Sequence, residues 1–286
     1  MAAPLKKNIE VITAKRAGFC FGVKRAVDIA FKAAKKSTGV YTLGPIIHNP
    51  QVVEQLKEEG VLPIDSIDDR RIKTLIIRTH GVPREITEEL ANKRYEIIDA
   101  TCPFVKKAQQ YAKLLKDDGY QVVIIGDREH PEVKGLMSYA GNDVVIVRGD
   151  NKLPKLKSRV GVVVQTTQPV NILTKFISDA VQHVIELKVF NTICNSTGLR
   201  LKDTRGIAKE LDLIVVVGGK NSANTTQLAN LCFSLGIQTH HIETSLELRE
   251  EWFSDVHKVG ITAGASTPDW IIKEVERSIR DIGGRG

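Results

Sequence analysis

Short runs of β-branched and apolar residues recur along the chain, each closed by a glycine, and helix-spaced apolar positions fill the stretches between them. Val40-Tyr-Thr-Leu runs into Gly44, Val122-Val-Ile-Ile into Gly126, and Ile214-Val-Val-Val into Gly218. Each run predicts a strand. Ahead of the first, Val23, Ala26, Val27, Ala30 and Phe31 share one helical face within Phe21–Lys36. Val105, Ala108, Ala112 and Leu115 do the same within Phe104–Asp118, and Leu201–Leu211 predicts the third such helix. A second helix is expected after each glycine, over Pro50–Glu59, Glu132–Tyr139 and Thr226–Leu235, stopped by Gly60, Gly141 and Gly236 as left-handed caps. Further strands end in polar turns at Thr74–His80, Val160–Thr166 and Val259–Ser266, and Pro83, Pro169 and Pro268 then lead into a third helix. A last strand carries the chain to a cysteine, over Tyr95–Cys102 and Leu187–Cys194.

The three copies stay in register without a gap. Cys20, Cys102 and Cys194 each precede the strand-closing glycine by twenty-four residues and a polar side chain (His48, His130, Ser222) by twenty-eight. The third copy has no closing strand of its own, but Asn8–Ala14 supplies one ahead of Cys20. The expected architecture is α/β: three similar lobes in a pseudo-threefold ring around a central site. The lobes span 20–101, 102–193 and 194–286, the last completed by 1–19. Such units favour parallel strands with right-handed crossovers, and their ligands collect beyond the carboxyl ends of strands. The polar residues of the repeat all fall there.

With 286 residues, 42% of them hydrophobic and 26% charged, the chain can bury a substantial core. No apolar run is long enough to span a membrane, and Met-Ala-Ala-Pro-Leu-Lys-Lys lacks the core of a signal peptide. Four cysteines without close pairs do not form a disulfide framework, so a reduced, cytoplasmic protein is expected, as a monomer. The net charge of +7 favours anionic partners, yet aromatics at 5% leave little to stack bases on, which argues against nucleic acid.

Three thiolates from distant segments suit a shared metal centre, either an iron–sulfur cluster or zinc. No C-x-x-C pair of the kind that holds structural zinc is present. Three single cysteines fit a four-iron cluster with one iron left open to a substrate oxygen. Cys232 lies outside the repeat on an apolar helix and is expected to be a buried small hydrophobe. His48, His80 and His130, with Ser222, Asn224 and Ser266, make a donor-rich pocket for a diphosphate. His183, His240, His241 and His257 are expected to be surface or structural. The helix after Asn224 could add its amides. Gly218-Gly-Lys-Asn-Ser is not a P-loop, because Asn221 stands where Ser or Thr must follow the lysine, and no strand-linked G-x-G-x-x-G occurs. Glu132 is either a proton donor with raised proton affinity or an ordinary first-turn carboxylate. Thr166 and Thr167 could relay its proton or orient a substrate hydroxyl.

Arg16-Ala-Gly-Phe-Cys-Phe-Gly-Val, His48-Asn, Thr79-His-Gly-Val, Asp99-Ala-Thr-Cys-Pro, His130-Pro-Glu-Val-Lys-Gly, Gln165-Thr-Thr, Thr192-Ile-Cys and Thr262-Ala-Gly-Ala-Ser together resemble the hydroxymethylbutenyl diphosphate reductase (LytB/IspH) family, in order and over nearly the whole chain. The resemblance implies a three-lobed fold around one [4Fe-4S] cluster per chain, held by Cys20, Cys102 and Cys194 with one open iron. It implies reductive removal of a substrate hydroxyl to give isopentenyl and dimethylallyl diphosphates, the last step of the non-mevalonate isoprenoid route. His48, His80, His130, Thr166, Thr167, Ser222, Ala223, Asn224 and Ser266 would bind substrate, and Glu132 would deliver protons with Thr166 assisting. The family commonly has Ser-Ser-Asn where this chain has Ser222-Ala223-Asn224, so Ala223 can offer only its backbone amide. The electron donor would be a carrier such as ferredoxin or flavodoxin. Two other classes compete: a zinc hydrolase, marked by zinc without iron and sulfide, and a cluster-bearing sensor, marked by diphosphate binding without reduction.

Overall fold

Every predicted β-branched run becomes a strand, and the strands most apolar along their whole length lie inside the sheets. The computed structural model describes residues 9–149, 153–220 and 222–284. In chain order the first elements are β1 (Glu10–Thr13), α1 (Phe21–Lys36), β2 (Val40–Leu43), α2 (Pro50–Glu58), β3 (Val61–Ile64), β4 (Thr74–Ile77), α3 (Arg84–Leu90) and β5 (Glu96–Asp99). There follow α4 (Pro103–Asp117), β6 (Gln121–Ile125), α5 (Pro131–Ala140), β7 (Val145–Val147), β8 (Arg159–Val164), α6 (Val170–Ala180) and β9 (Glu186–Val189). The last are α7 (Asn195–Ala208), β10 (Leu213–Val217), α8 (Ala223–Ser234), β11 (Gln238–Ile242), β12 (Lys258–Ala263) and α9 (Asp269–Gly284), with two short 3-10 turns between β11 and β12.

The strands form three four-stranded sheets of one topology: β3-β2-β4-β5, β7-β6-β8-β9 and β11-β10-β12-β1. All pairings are parallel. The N-terminal strand completes the third sheet, as the repeat predicts, with Glu10 opposite Lys258 and Thr13 opposite Ile261. Asn8, the first residue expected in that strand, lies outside the described residues. Backbone contacts divide the described chain into two compact units. One takes in Met1–Val23, His48–Val52 and Asn195–Gly286; the other takes in Lys24–Ile47 and Val53–Cys194.

In the first unit, alternate residues of β10 serve opposite faces of the sheet. Leu213, Val215 and Val217 pack with Ile271, Val275 and Ile279 of α9, while Ile214 and Val216 pack with Leu228, Ala229 and Cys232 of α8. In the second unit β6 does the same. Val122 and Ile124 meet Ala108, Ala112 and Leu115 of α4 and Leu136 of α5, and Val123 and Ile125 meet Leu173 and Phe176 of α6. A parallel strand covered on both faces needs apolar residues at every position, which is why these runs are continuous rather than alternating.

Three expectations need correction. Each sheet has a fourth strand, β3, β7 or β11, that the hydrophobic pattern does not announce. All three are outer strands: β3 contains Pro63, β7 spans only three residues, and β11 reads Gln-Thr-His-His-Ile. An edge strand buries less, so it tolerates proline and polar side chains. Next, α7 begins at Asn195 rather than Leu201, because two of its three buried positions, Arg200 and Thr204, are polar. Arg200 donates to the carbonyl oxygens of Arg16 and Ala263, and the Thr204 hydroxyl lies 2.8 Å from that of Thr262. Apolar periodicity cannot reveal a helix whose inner face is hydrogen-bonded. Finally, α8 starts at Ala223 rather than Thr226, with Ser222 as its N-cap.

Candidate active site

Each repeated cysteine is the last residue before a helix: Cys20 before α1, Cys102 before α4 and Cys194 before α7. All three are half-buried. Their backbone amides are anchored alike, each donating to a carbonyl oxygen just beyond a neighbouring strand. Cys20 donates to Ala265 at 3.2 Å, Cys102 to Thr79 at 2.9 Å and Cys194 to Thr166 at 2.7 Å. The residues that follow those carbonyls are Ser266, His80 and Thr167. Hydrogen bonding thus pairs Thr167, rather than Thr166, with His80 and Ser266, which refines the register of the polar turns. Sulfurs at the starts of helices meet the positive end of the helix dipole, which favours negative charge. A soft, thiolate-type donor set with no carboxylate in the repeated position fits an iron–sulfur cluster. Cys232 stands apart from this set: it is wholly buried, and burial pushes its thiol up to about 11.

The loops that carry the first set of polar side chains are also anchored alike. The amide of Gly44 donates to Ile64, that of Gly126 to Val147 and that of Gly218 to Ile242, at 2.8, 3.0 and 2.8 Å. Gly218 requires glycine twice over: its φ is +139°, and a Cβ there would lie 2.5 Å from the Thr267 hydroxyl. From these anchors the three copies diverge by one position. His130 and Ser222 are themselves N-caps of α5 and α8, whereas His48 precedes Asn49, whose side chain accepts from the Val52 amide at 2.9 Å and caps α2.

In the second unit, His80 and His130 meet edge to face, ring centroids 5.4 Å apart. The Nδ1 of His130 accepts the Glu132 amide at 3.2 Å. With Nδ1 taken up by that amide, Nε2 is the ring nitrogen left to donate. Beside it, Glu132 is 1% exposed. Its carboxylate accepts the Thr166 amide at 2.6 Å and the Thr166 hydroxyl at 2.8 Å. Burial pushes Glu132 up to about 7, against the opposing pull of both Thr166 bonds. Glu132 does lie in the first turn of α5, and unlike an ordinary first-turn carboxylate it is sealed from water and holds its proton more tightly. Thr166→Val keeps the amide bond and removes the hydroxyl bond. The carboxyl should then hold its proton to higher pH, moving the alkaline limb of the kcat–pH profile upward, with a fall of about tenfold in kcat. A limb that does not move would detach the Thr166 hydroxyl from the proton's energetics.

In the first unit, the Ser222 hydroxyl accepts the Thr225 amide at 3.5 Å. Asn224 accepts the Thr197 hydroxyl at 3.1 Å, which leaves the NH2 end of the amide as its donor. Ser266 is buried. The Ala223 side chain lies outside the described residues. One positioning residue had no role in the sequence reading. Gln165 accepts the Asp127 amide at 2.9 Å and donates to the Thr167 hydroxyl at 3.1 Å, tying the end of β8 to the loop before His130. Its place in Gln165-Thr-Thr was the available signal. Asp99 also acquires a structural duty: it accepts the Thr101 amide at 2.8 Å and pairs with Lys106 at 2.6 Å, bracing the turn into Cys102.

Parallel sheets of one topology, each followed by a helix that opens just after a cysteine, with a buried carboxyl of raised proton affinity in the second unit, define the chain as an α/β protein of enzyme type. Residues 11–280 match the LytB protein family, and the chain belongs to that family. It is 50% identical over 276 residues to the 4-hydroxy-3-methylbut-2-enyl diphosphate reductase of Pelobacter propionicus, covering 96% of this chain and 99% of that one. It is 48% identical over 277 residues to the protein of the same name from Geobacter metallireducens, covering 96% and 98%. Among solved structures it resembles (E)-4-hydroxy-3-methyl-but-2-enyl diphosphate reductase, the terminal enzyme of the non-mevalonate pathway. The TM-score is 0.78 at 44% identity, over 96% of this chain and 99% of that one. It also resembles the E-1-hydroxy-2-methyl-but-2-enyl-4-diphosphate reductase of Plasmodium falciparum, with a TM-score of 0.82 at 26% identity, over 95% and 87%. Among the described residues no helix is long and apolar enough to cross a membrane.

Proposed function

We propose that this chain reduces (E)-4-hydroxy-3-methylbut-2-enyl diphosphate to isopentenyl and dimethylallyl diphosphates. The observation that carries the reading is Glu132: a buried carboxyl, hydrogen-bonded twice by Thr166 and pushed up to about 7 by burial, in a family whose named relatives are such reductases. The reaction consumes two electrons and two protons, breaks the carbon–oxygen bond of the substrate hydroxyl and releases water. Its lobes are those of the repeat, 20–101, 102–193 and 194–286 with 1–19.

The residues divide the work. His48, His80, His130, Ser222, Asn224 and Ser266, with the Ala223 amide, hold the diphosphate by donating hydrogen bonds; His130 does so through Nε2. Thr167 orients the substrate. Glu132 gives its proton to the departing hydroxyl oxygen, because a group with proton affinity near the working pH is both loaded and able to let go. Thr166 holds the carboxylate that remains. A four-iron, four-sulfide cluster ligated by Cys20, Cys102 and Cys194 supplies, when bound, one-electron transfers and one iron open to act as a Lewis acid.

The experiment is anaerobic purification with iron, sulfide and zinc quantified, followed by reduction of the allylic diphosphate with a reduced viologen. Iron and sulfide in near-equal amounts with formation of both products are expected. Zinc without iron and sulfide would overturn the reading in favour of a hydrolase.

A further inference from the structure

The proposed reaction needs electrons, and the following inference rests on that reading. No strand-linked G-x-G-x-x-G is present to bind a nicotinamide or flavin dinucleotide. The electrons must arrive from another molecule, and a one-electron carrier needs a landing surface close to a ligating sulfur.

In the first unit one such surface stands out. Phe21 directly follows Cys20, opens α1 and is 67% exposed. Trp270, in the first turn of α9, is 41% exposed and packs edge to face on Phe19, with ring centroids 6.4 Å apart. The loop before Cys20 is pressed onto the start of α9. A Cβ on Gly18 would lie 2.9 Å from Ile272 Cδ1 and 3.1 Å from an Asp269 carboxylate oxygen, and φ there is +92°. Cys20 thus stands between Phe19, which packs on Trp270, and the exposed Phe21, in a protein with only two tryptophans and 5% aromatics. Such side chains on a soluble surface mark interaction sites more often than scattered aliphatic ones do.

The charges around this surface are mainly positive. Lys15 and Arg16 are exposed in the loop before Cys20. Lys273 and Arg277 follow Trp270 at three and seven residues, on the same helical face, and are exposed. Of the nearby carboxylates, Glu276 is paired with a cation, Arg280, at 2.8 Å. Glu274, which accepts the Ser245 hydroxyl at 2.5 Å, Asp203, which accepts the Arg16 amide at 2.8 Å, and Asp269 beneath Gly18 remain as counter-charges.

We propose that the Phe19–Phe21–Trp270 surface, rimmed by Lys15, Arg16, Lys273 and Arg277, docks an acidic one-electron carrier protein and admits electrons by way of Cys20. Two encounters, each oxidising the carrier by one electron, supply one turnover. An exposed aromatic centre gives the contact and the cationic rim steers the encounter, as suits a short-lived redox complex.

The test uses anaerobic holoenzyme, an acidic [2Fe–2S] ferredoxin as the probe, and three variants: Phe21→Ala, Trp270→Ala and the double replacement Lys273→Glu with Arg277→Glu. Turnover is driven either by reduced ferredoxin or by reduced methyl viologen, and ferredoxin binding is measured by calorimetry. Each variant should raise the KM and Kd for ferredoxin by about tenfold, while iron content and viologen-driven turnover stay at the parent's level. The double variant should also flatten the salt dependence of ferredoxin-driven turnover. Unchanged KM and Kd for ferredoxin in Trp270→Ala and the double variant would overturn the proposal. Because Phe21 adjoins Cys20, a Phe21→Ala protein that loses iron is set aside and the other two decide. Absence of viologen-driven turnover in the parent would instead overturn the reductase reading, with the calorimetric binding still deciding the docking surface.

Discussion

Glu132→Gln is expected to lower turnover by about a thousandfold while iron, sulfide and diphosphate affinity remain as in the parent, within the range over which positioned proton donors contribute. Glutamine preserves the shape and one acceptor for the two Thr166 bonds, but it has no proton to give. The same variant has a signature in stability. The unfolded chain releases the Glu132 proton near the ordinary value of 4.5, while burial makes the folded chain keep it to about 7. Between those values the folded state binds the extra proton, so stability must fall as pH rises through the window, by about 3 kcal/mol in all, and then level off. Below the window the carboxyl is neutral in both states and costs nothing. The glutamine of the variant does not titrate, so this step should vanish from the difference between denaturation midpoints at pH 5 and pH 8. Near-parental turnover, or an unchanged step, would remove Glu132 from its role.

Cys102→Ser and Cys194→Ser should each leave protein with little bound iron and turnover below about 1% of the parent, since iron–sulfur clusters are held by thiolates and a serine oxygen is a poor replacement. Cys232→Ala is the contrasting case. Its thiol is wholly buried against Ile214, Val216 and Leu228 and lies outside the repeat. Loss of that sulfur should cost about 1 kcal/mol of stability and leave iron content and turnover intact. Full iron content in the Cys102 or Cys194 variants, or iron loss in the Cys232 variant, would show that the three-cysteine assignment is wrong.

Much of the scaffold was legible because its inner strands are covered on both faces. The runs ending at Gly126 and Gly218 have no solvent side, so every position is apolar and the strand declares itself. The elements that stayed hidden lack that constraint. β11 sits at an edge and can be polar, and α7 turns Arg200 and Thr204 inward, where hydrogen bonds replace apolar contact. The site shows the same division. The matching places of Cys20, Cys102 and Cys194, each just before a helix, could be read from spacing alone, whereas the place of Gln165 could not. Its value lies in bonds to Asp127 and Thr167, thirty-eight and two residues away, and no local pattern records such a pair.

By itself the sequence determined the threefold repeat, the completion of the third sheet by the N-terminal strand, and which cysteines and polar side chains belong to the repeat. Each of these follows from period and spacing, which are properties of the chain in one dimension. Only the tertiary structure decided that Glu132 is sealed from water, that Thr166 donates to it twice, and that the Glu132 amide meets His130 at Nδ1. Proton affinity depends on the dielectric and the donors surrounding a group, and those come from segments that meet only once the chain has folded.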